Sequence, residues 1–247
     1  MVTKSAIKLI HSLKDKKNRQ EHGLFVVEGS KTIHELLASK IVVKTLFATQ
    51  QWFTLHTKLL KSNIECVVVN DNELKQLSNL VSPQDAIALA QIPQNNFSEI
   101  NLEQTFSIVL DGIQDPGNMG TIIRIADWYG IENIFCSTHC ADIYNPKVIQ
   151  SSMGSFLRTK VFYTNIAELF NDNKNVKIYG AVMNGKSVYE THFDNGFLLI
   201  GNEGAGISDE LMKFVTEPIS IPKRGEAESL NAGVATAIIC DAWARNN

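Results

Sequence analysis

Three stretches of this chain combine glycines with side chains able to grip or orient a ligand. The first runs from Asp111 through Gly112, Gln114, Asp115, Pro116, Gly117 and Asn118 to Gly120, and reaches Arg124 six residues after Asn118. Glycines let a backbone turn sharply and approach a ligand closely, and a guanidinium beside a helix N-terminus suits a phosphate. Asn118 stands where a helix cap is expected. Taken alone, the stretch reads more simply as an Asn cap followed by a surface arginine.

The second stretch, Phe197 to Glu210, sets Glu203 among Gly201, Gly204 and Gly206. A carboxylate between glycines is unusual for a plain turn and suggests an anchoring role. The spacing departs from a GxGxxG dinucleotide fingerprint and lies too late in the chain for one. Ser208, Asp209 and Glu210 read as the start of the next helix. The third stretch has Ile221 at a strand end, a basic turn at Lys223 and Arg224, and Ser229, Leu230 and Asn231 at a helix entry. Ser229 is the expected cap there. Asn231 opens an otherwise apolar helix, where its amide would need a buried partner.

Ligand-binding loops of α/β proteins follow strand ends, and the hydrophobic pattern supplies the strands. After residue 104, FSIVLDG, NIFCS, KVFY, KIYGAVM, GFLLIG and PISIP are apolar runs separated by helical segments or loops. That alternation predicts a parallel sheet covered on both faces. The segment 229–244 is small and apolar almost all round, as in a helix buried against a sheet or another subunit. Residues 91–104, with Pro93 and a polar Asn pair, read as a linker. Before it, LFVVEG, TLFAT, IECVVV and AIALAQI alternate with helical patterns at 30–39, 51–61 and 71–80. Ser30 is the expected cap of the helix at 30–39. This part is a small α/β domain of its own.

The 247 residues are 44% hydrophobic and 20% charged, which suits a soluble globular chain. No run reaches membrane-span length. The first twenty residues lack the apolar segment and cleavage site of a secretory signal, so a cytoplasmic protein is expected. Cys66, Cys136, Cys140 and Cys240 are too scattered for a disulfide framework. Cys136, His139 and Cys140 have no second ligand pair to complete a zinc site, so buried thiols and no metal are expected. Residues 1–98 carry 12 basic and 8 acidic side chains, while residues 99–247 carry 11 and 18. Six of the basic groups (Lys4, Lys8, Lys14, Lys16, Lys17 and Arg19) fall in the first twenty residues against Asp15. Either a polyanion docks at this end or it is a solvated helix face.

In this order, the three stretches resemble the SpoU (TrmH) family of RNA ribose 2′-O-methyltransferases, within the SPOUT superfamily, over residues 105–247. Gly23 to Gly29, GLFVVEG, is similar to the start of the family's substrate-binding domain. The resemblance implies an α/β fold: a SPOUT-type parallel sheet with a C-terminal trefoil knot at 105–247, plus a small N-terminal α/β substrate-binding domain at 1–95. It implies S-adenosylmethionine as cofactor, held by Met183, Gly201, Ile221 and Leu230. Arg124 would hold the target phosphate and hydroxyl, with Asn118, Glu203, Ser229 and Asn231 completing the catalytic set. The implied partners are RNA, with ribosomal RNA favoured over transfer RNA, and a second copy of the chain in a homodimer. A non-catalytic RNA-binding relative is the competing reading, and the intact polar set argues against it.

Overall fold

The computed structural model describes residues 2–94 and 96–245, and the chain divides into two units. Unit 1 comprises Met1–Gln94 and Tyr144–Leu157; unit 2 comprises Asn95–Ile143 and Arg158–Asn247.

Unit 1 opens with α1 (Lys4–Ser12), capped by Thr3, whose Oγ1 accepts the Ala6 amide at 3.2 Å. Next comes α2 (Lys16–His22), ended by Gly23 in the left-handed region that glycine adopts without strain. There follow β1 (Leu24–Glu28), α3 (Ser30–Ala38), β2 (Val43–Ala48), α4 (Gln50–His56), β3 (Glu65–Val68), α5 (Asp71–Leu77) and β4 (Ala86–Gln91). The four strands lie in the order β1-β4-β2-β3, with β4 antiparallel to both neighbours and β2 parallel to β3. Ile10 and Leu13 pack with Leu74 and Leu77 of α5 and with Val26, Ile87 and Leu89 of the sheet. Two expectations change here. Ser30 is the first helical residue rather than the cap: Gly29, at φ 101°, takes that position, and Ser30 Oγ accepts Trp52 Nε1 at 2.7 Å. Cys66, on a thinly covered strand, is exposed rather than buried.

Unit 2 starts with β5 (Phe106–Leu110), α6 (Pro116–Trp128) and β6 (Asn133–Cys136). The chain then enters unit 1 at Tyr144 through α7 (Pro146–Ser152), where Phe25 lies against Tyr144 and Phe156 at ring-centroid distances of 4.6 and 6.1 Å. Unit 2 resumes with β7 (Lys160–Tyr163), α8 (Ile166–Asp172), β8 (Ile178–Ser187), β9 (Gly196–Ile200), α9 (Asp209–Met212), β10 (Glu217–Ser220) and α10 (Ala232–Ala244). Its six-stranded sheet has the order β10-β8-β9-β5-β6-β7 and every pairing is parallel. All residues of β5, β6 and β9 are buried, as in a sheet covered on both faces.

The stretch expected as a linker is only partly one. Asn95 lies outside the described residues, but Phe97 meets Phe135 and Phe162 edge-on at 5.3 and 5.4 Å, and Leu102 is buried. Two apolar side chains thus tie it to the core of unit 2. Among the described residues, no helix is long and apolar enough to cross a membrane.

Candidate functional site

Strands β5 and β9 are neighbours at the centre of the unit 2 sheet, where strand addition changes side. Ligands of open α/β sheets sit beyond the carboxyl ends of strands at such a switch point. The loops leaving β5 and β9 are pinned together there. Asn202 Nδ2 donates to the Gly112 carbonyl at 2.7 Å, and Asp111 Oδ2 accepts the Ser208 amide at 2.8 Å. Asn202 Oδ1 also accepts the amides of Gly204 and Ala205, the turn an Asx side chain favours. Asn202 and Gly206 exchange two main-chain hydrogen bonds of 2.9 Å, closing the second loop into a tight ring.

Helix α6 starts inside the first loop. Pro116 occupies the first turn, where its missing N–H costs nothing. The cap is Asp115, whose Oδ1 accepts the Asn118 amide at 2.8 Å. Asn118 is therefore not the cap, and its side chain is available for other partners. Its Nδ2 donates to Glu203 Oε1 at 2.6 Å, and its Oδ1 accepts Asn231 Nδ2 at 2.7 Å. Asn231, rather than Ser229, caps α10: its Oδ1 accepts the amides of Gly233 and Val234 at 3.0 and 3.2 Å. It is exposed, so its amide needs no buried partner; one side chain caps a helix and joins the first and third stretches. The close packing of α10 on α6 depends on Gly233, where a Cβ would stand 2.9 Å from Thr121 Cγ2. Glu203–Asn118–Asn231 is thus one bonded row drawing on all three stretches.

Glu203 also borders a cleft of about 730 Å³ enclosed by β8, the β9–α9 loop and the segment 219–232. Met183, Gly201, Ile221, Ser229 and Leu230 line the same cleft. Met183 lies within β8, not after it, and is 59% exposed; Leu230 is 48% exposed. Large apolar side chains turned toward solvent around a concave site mark a ligand surface. At its back, Gly201 sits so near Gly206 and Ile207 that a Cβ would fall 2.2 Å from their main-chain atoms. Arg124 is exposed on α6, about 9 Å further along the axis than Asn118 and about 120° around it, so it emerges from a different face.

Beneath the first loop, Ser137 Oγ accepts the Gly112 amide at 3.0 Å, and Cys140 lies 3.6 Å from that hydroxyl. A hydrogen bond from the Cys136 thiol, helped by Ser137, lowers Cys140 to about 7. Burial holds Cys136 well above the ordinary thiol range. Among the described residues no group of His, Cys, Asp and Glu is arranged to hold a metal ion.

Two positioning groups, Asn202 and Asp111, were not singled out from the sequence. An Asn wedged between Gly201 and Glu203 in a turn is the signal that points to the first; the role of the second has no local signal, because the Ser208 amide it accepts is 97 residues away.

Residues 105–241 match the profile of the SpoU rRNA Methylase family, and residues 4–88 that of the MRM3-like substrate binding domain. Over 231 residues the chain is 31% identical to 23S rRNA (guanosine(2553)-2′-O)-methyltransferase RlmP of Bacillus subtilis (strain 168), covering 92% of this chain and 91% of that protein. The chain belongs to the SpoU rRNA methylase family. A TrmH-family structure from Porphyromonas gingivalis superimposes with a TM-score of 0.91 at 32% identity over the full length of both chains. The SpoU methyltransferase AviRb of Streptomyces viridochromogenes, in complex with AdoMet, does so with a TM-score of 0.88 at 25% identity over 98% of each chain. The bonded row and the cleft of this SpoU chain lie within the residues matched by the family profile.

Proposed function

We propose that this chain methylates a ribose 2′-hydroxyl of ribosomal RNA, using S-adenosylmethionine. The observation carrying this reading is the row Glu203–Asn118–Asn231 abutting the cleft through Glu203, on loops that match the SpoU family. The cleft suits the cofactor in size, with apolar walls at Ile221 and Leu230 for an adenine ring and close main-chain approach at Gly201. Met183, Gly201, Ile221 and Leu230 would hold it.

When bound, the cofactor supplies an electrophilic methyl group on a sulfonium. The chain then has two tasks: aligning the hydroxyl and managing its proton. Asn118 orients the ribose, its own amide fixed by Glu203 and Asn231. Ser229 lines the cleft and would offer its hydroxyl to the ribose. Arg124 grips the target phosphate. A guanidinium stays protonated in proteins, so Arg124 is not the base; it would hold the phosphate, which relays the hydroxyl proton to solvent. Residues 1–95 would provide the RNA-holding domain, and residues 105–247 the methyltransferase domain. A second copy of the chain completes a homodimer, for which the 83%-exposed Trp128 at the end of α6 is a candidate contact. The cytoplasm is its proposed compartment.

The test pairs calorimetry with S-adenosylmethionine and filter binding of unmodified ribosomal RNA. Binding of both supports the enzyme. RNA binding without cofactor binding favours a non-catalytic relative.

A further inference from the structure

We propose that the elbow formed by α1 and α2 in unit 1 docks the phosphate backbone of the RNA, through Lys4, Lys8, Lys14 and Lys17. The proposal rests on the RNA methyltransferase reading and adds a surface remote in sequence from its chemistry.

The inner face of α1 is committed to the core, since Ile10 and Leu13 are fully buried among α5 and the sheet. The outer face carries Lys4 and Lys8, both exposed and one helical turn apart. Like charges at this spacing repel, and α1 contains no acidic residue to offset them. Helix α2 repeats the arrangement in another form. It opens with lysines and has no acid in its first turn, so cations sit at the positive end of the helix dipole. Asp15 occupies the cap position without making a side-chain cap bond. Among the described residues, none of Lys4, Lys8, Lys14 and Lys17 is ion-paired with a carboxylate. These placements work against helix stability, which a merely solvated face has no reason to do.

The turn between the helices is locked from inside. Arg19, 2% exposed, donates from Nη1 to the carbonyls of Leu13 and Lys14 at 2.8 and 2.6 Å. Asn18 Nδ2 donates to the Ser12 carbonyl at 2.9 Å. The sixth basic group of this segment is therefore a structural pin, and it fixes the angle at which the lysines are presented. With the backbone already fixed, only the lysine side chains lose freedom on binding.

The chemistry selects the partner. The apolar face of α1 is already buried, so the elbow has nothing to insert into a bilayer. It offers no exposed aromatic anchor of the kind that dominates protein interfaces. A set of exposed, unpaired ammonium groups on a pinned backbone fits a chain of phosphates, whose contacts position an RNA without reading its sequence.

The test uses the full-length protein, an in-vitro-transcribed large-subunit ribosomal RNA and fluorescence-detected binding over a range of salt concentrations. The triple variant Lys8→Gln, Lys14→Gln, Lys17→Gln is expected to bind roughly tenfold or more weakly, with the slope of log affinity against log salt reduced by about two to three. KM for RNA rises by the same factor, and Tm stays level or increases because repulsion is relieved. The matching triple lysine-to-arginine variant keeps the wild-type slope, and the unit 1 control Lys58→Gln, Lys61→Gln does too. An unchanged slope in the glutamine triple, an equal loss in the control, or a loss of binding to anionic vesicles in place of RNA would overturn the proposal. Methyl transfer by the wild type is scored separately. Its absence alongside the expected slope change would count against the enzyme reading and leave the docking surface standing.

Discussion

Replacing Gly201 by Ala adds one methyl group at the point where the β9–α9 loop folds back on itself. That Cβ would lie 2.2 Å from Gly206 C and Ile207 N and 2.4 Å from Gly206 O, all of them main-chain atoms. Carbon atoms in contact stand about 3.5–4.0 Å apart, so the loop must withdraw by more than about 1 Å. Withdrawal opens the two 2.9 Å hydrogen bonds between Asn202 and Gly206. Two such bonds at about 1 kcal/mol each, with ~1–3 kcal/mol for the overpacking, cost roughly 3–5 kcal/mol in the closed loop. The buried strand β9 is held by β5 and β8 and stays in place, so the displacement falls on the loop that lines the cleft. A penalty of about 3 kcal/mol borne by the bound form weakens S-adenosylmethionine binding by about 100-fold or more. Calorimetric titration of wild type and Gly201→Ala measures this, with a thermal melt showing that the variant remains folded. A dissociation constant within about threefold of wild type, in a folded variant, would refute the placement of the cofactor against this loop.

Arg124→Ala should lower methyl transfer by about 100-fold or more while leaving the calorimetric affinity for the cofactor unchanged; equal losses in both would remove Arg124 from the phosphate. Arg19→Ala leaves two carbonyls of the α1–α2 elbow without their donor and should cost about 3 kcal/mol in urea unfolding. Cys140 is lowered from 9.0 to about 7 in the folded chain. A depressed acid stabilises the fold fully above its unfolded pKa and loses that contribution as pH falls through the folded one. Unfolding free energy should therefore rise between about pH 7 and about pH 9, and Cys140→Ser should flatten that rise. Native-state titration with a thiol reagent should label Cys66 rapidly while Cys136, Cys140 and Cys240 react slowly.

The strands of both units were legible because fully buried runs such as FSIVL and GFLLI have few other solutions between glycine-rich loops. Cap assignments were less so. Asp115, Asn118, Ser229 and Asn231 are all competent caps, and local sequence does not say which one the chain will use. Only the fold shows that Asp115 and Asn231 cap α6 and α10, with Asn118 released for Glu203. Long-range pairing was also silent. Tyr144 and Phe156 meet Phe25 across more than a hundred residues, so the return of the chain to unit 1 has no local mark. Phe97 and Leu102 anchor a stretch whose composition is that of a linker. The basic N-terminus read as six equivalent charges, whereas burial separates Arg19 from the lysines.

The proposed reaction is methyl transfer to a ribose oxygen. The direct measurement incubates the protein with methyl-labelled S-adenosylmethionine and, separately, unmodified ribosomal RNA and transfer RNA, followed by alkaline hydrolysis. A methylated 2′-oxygen cannot attack the neighbouring phosphate, so label is expected in an alkali-resistant dinucleotide from ribosomal RNA. Label released entirely as mononucleotides would contradict transfer to the 2′-oxygen, and resistant dinucleotides from transfer RNA alone would contradict the ribosomal substrate.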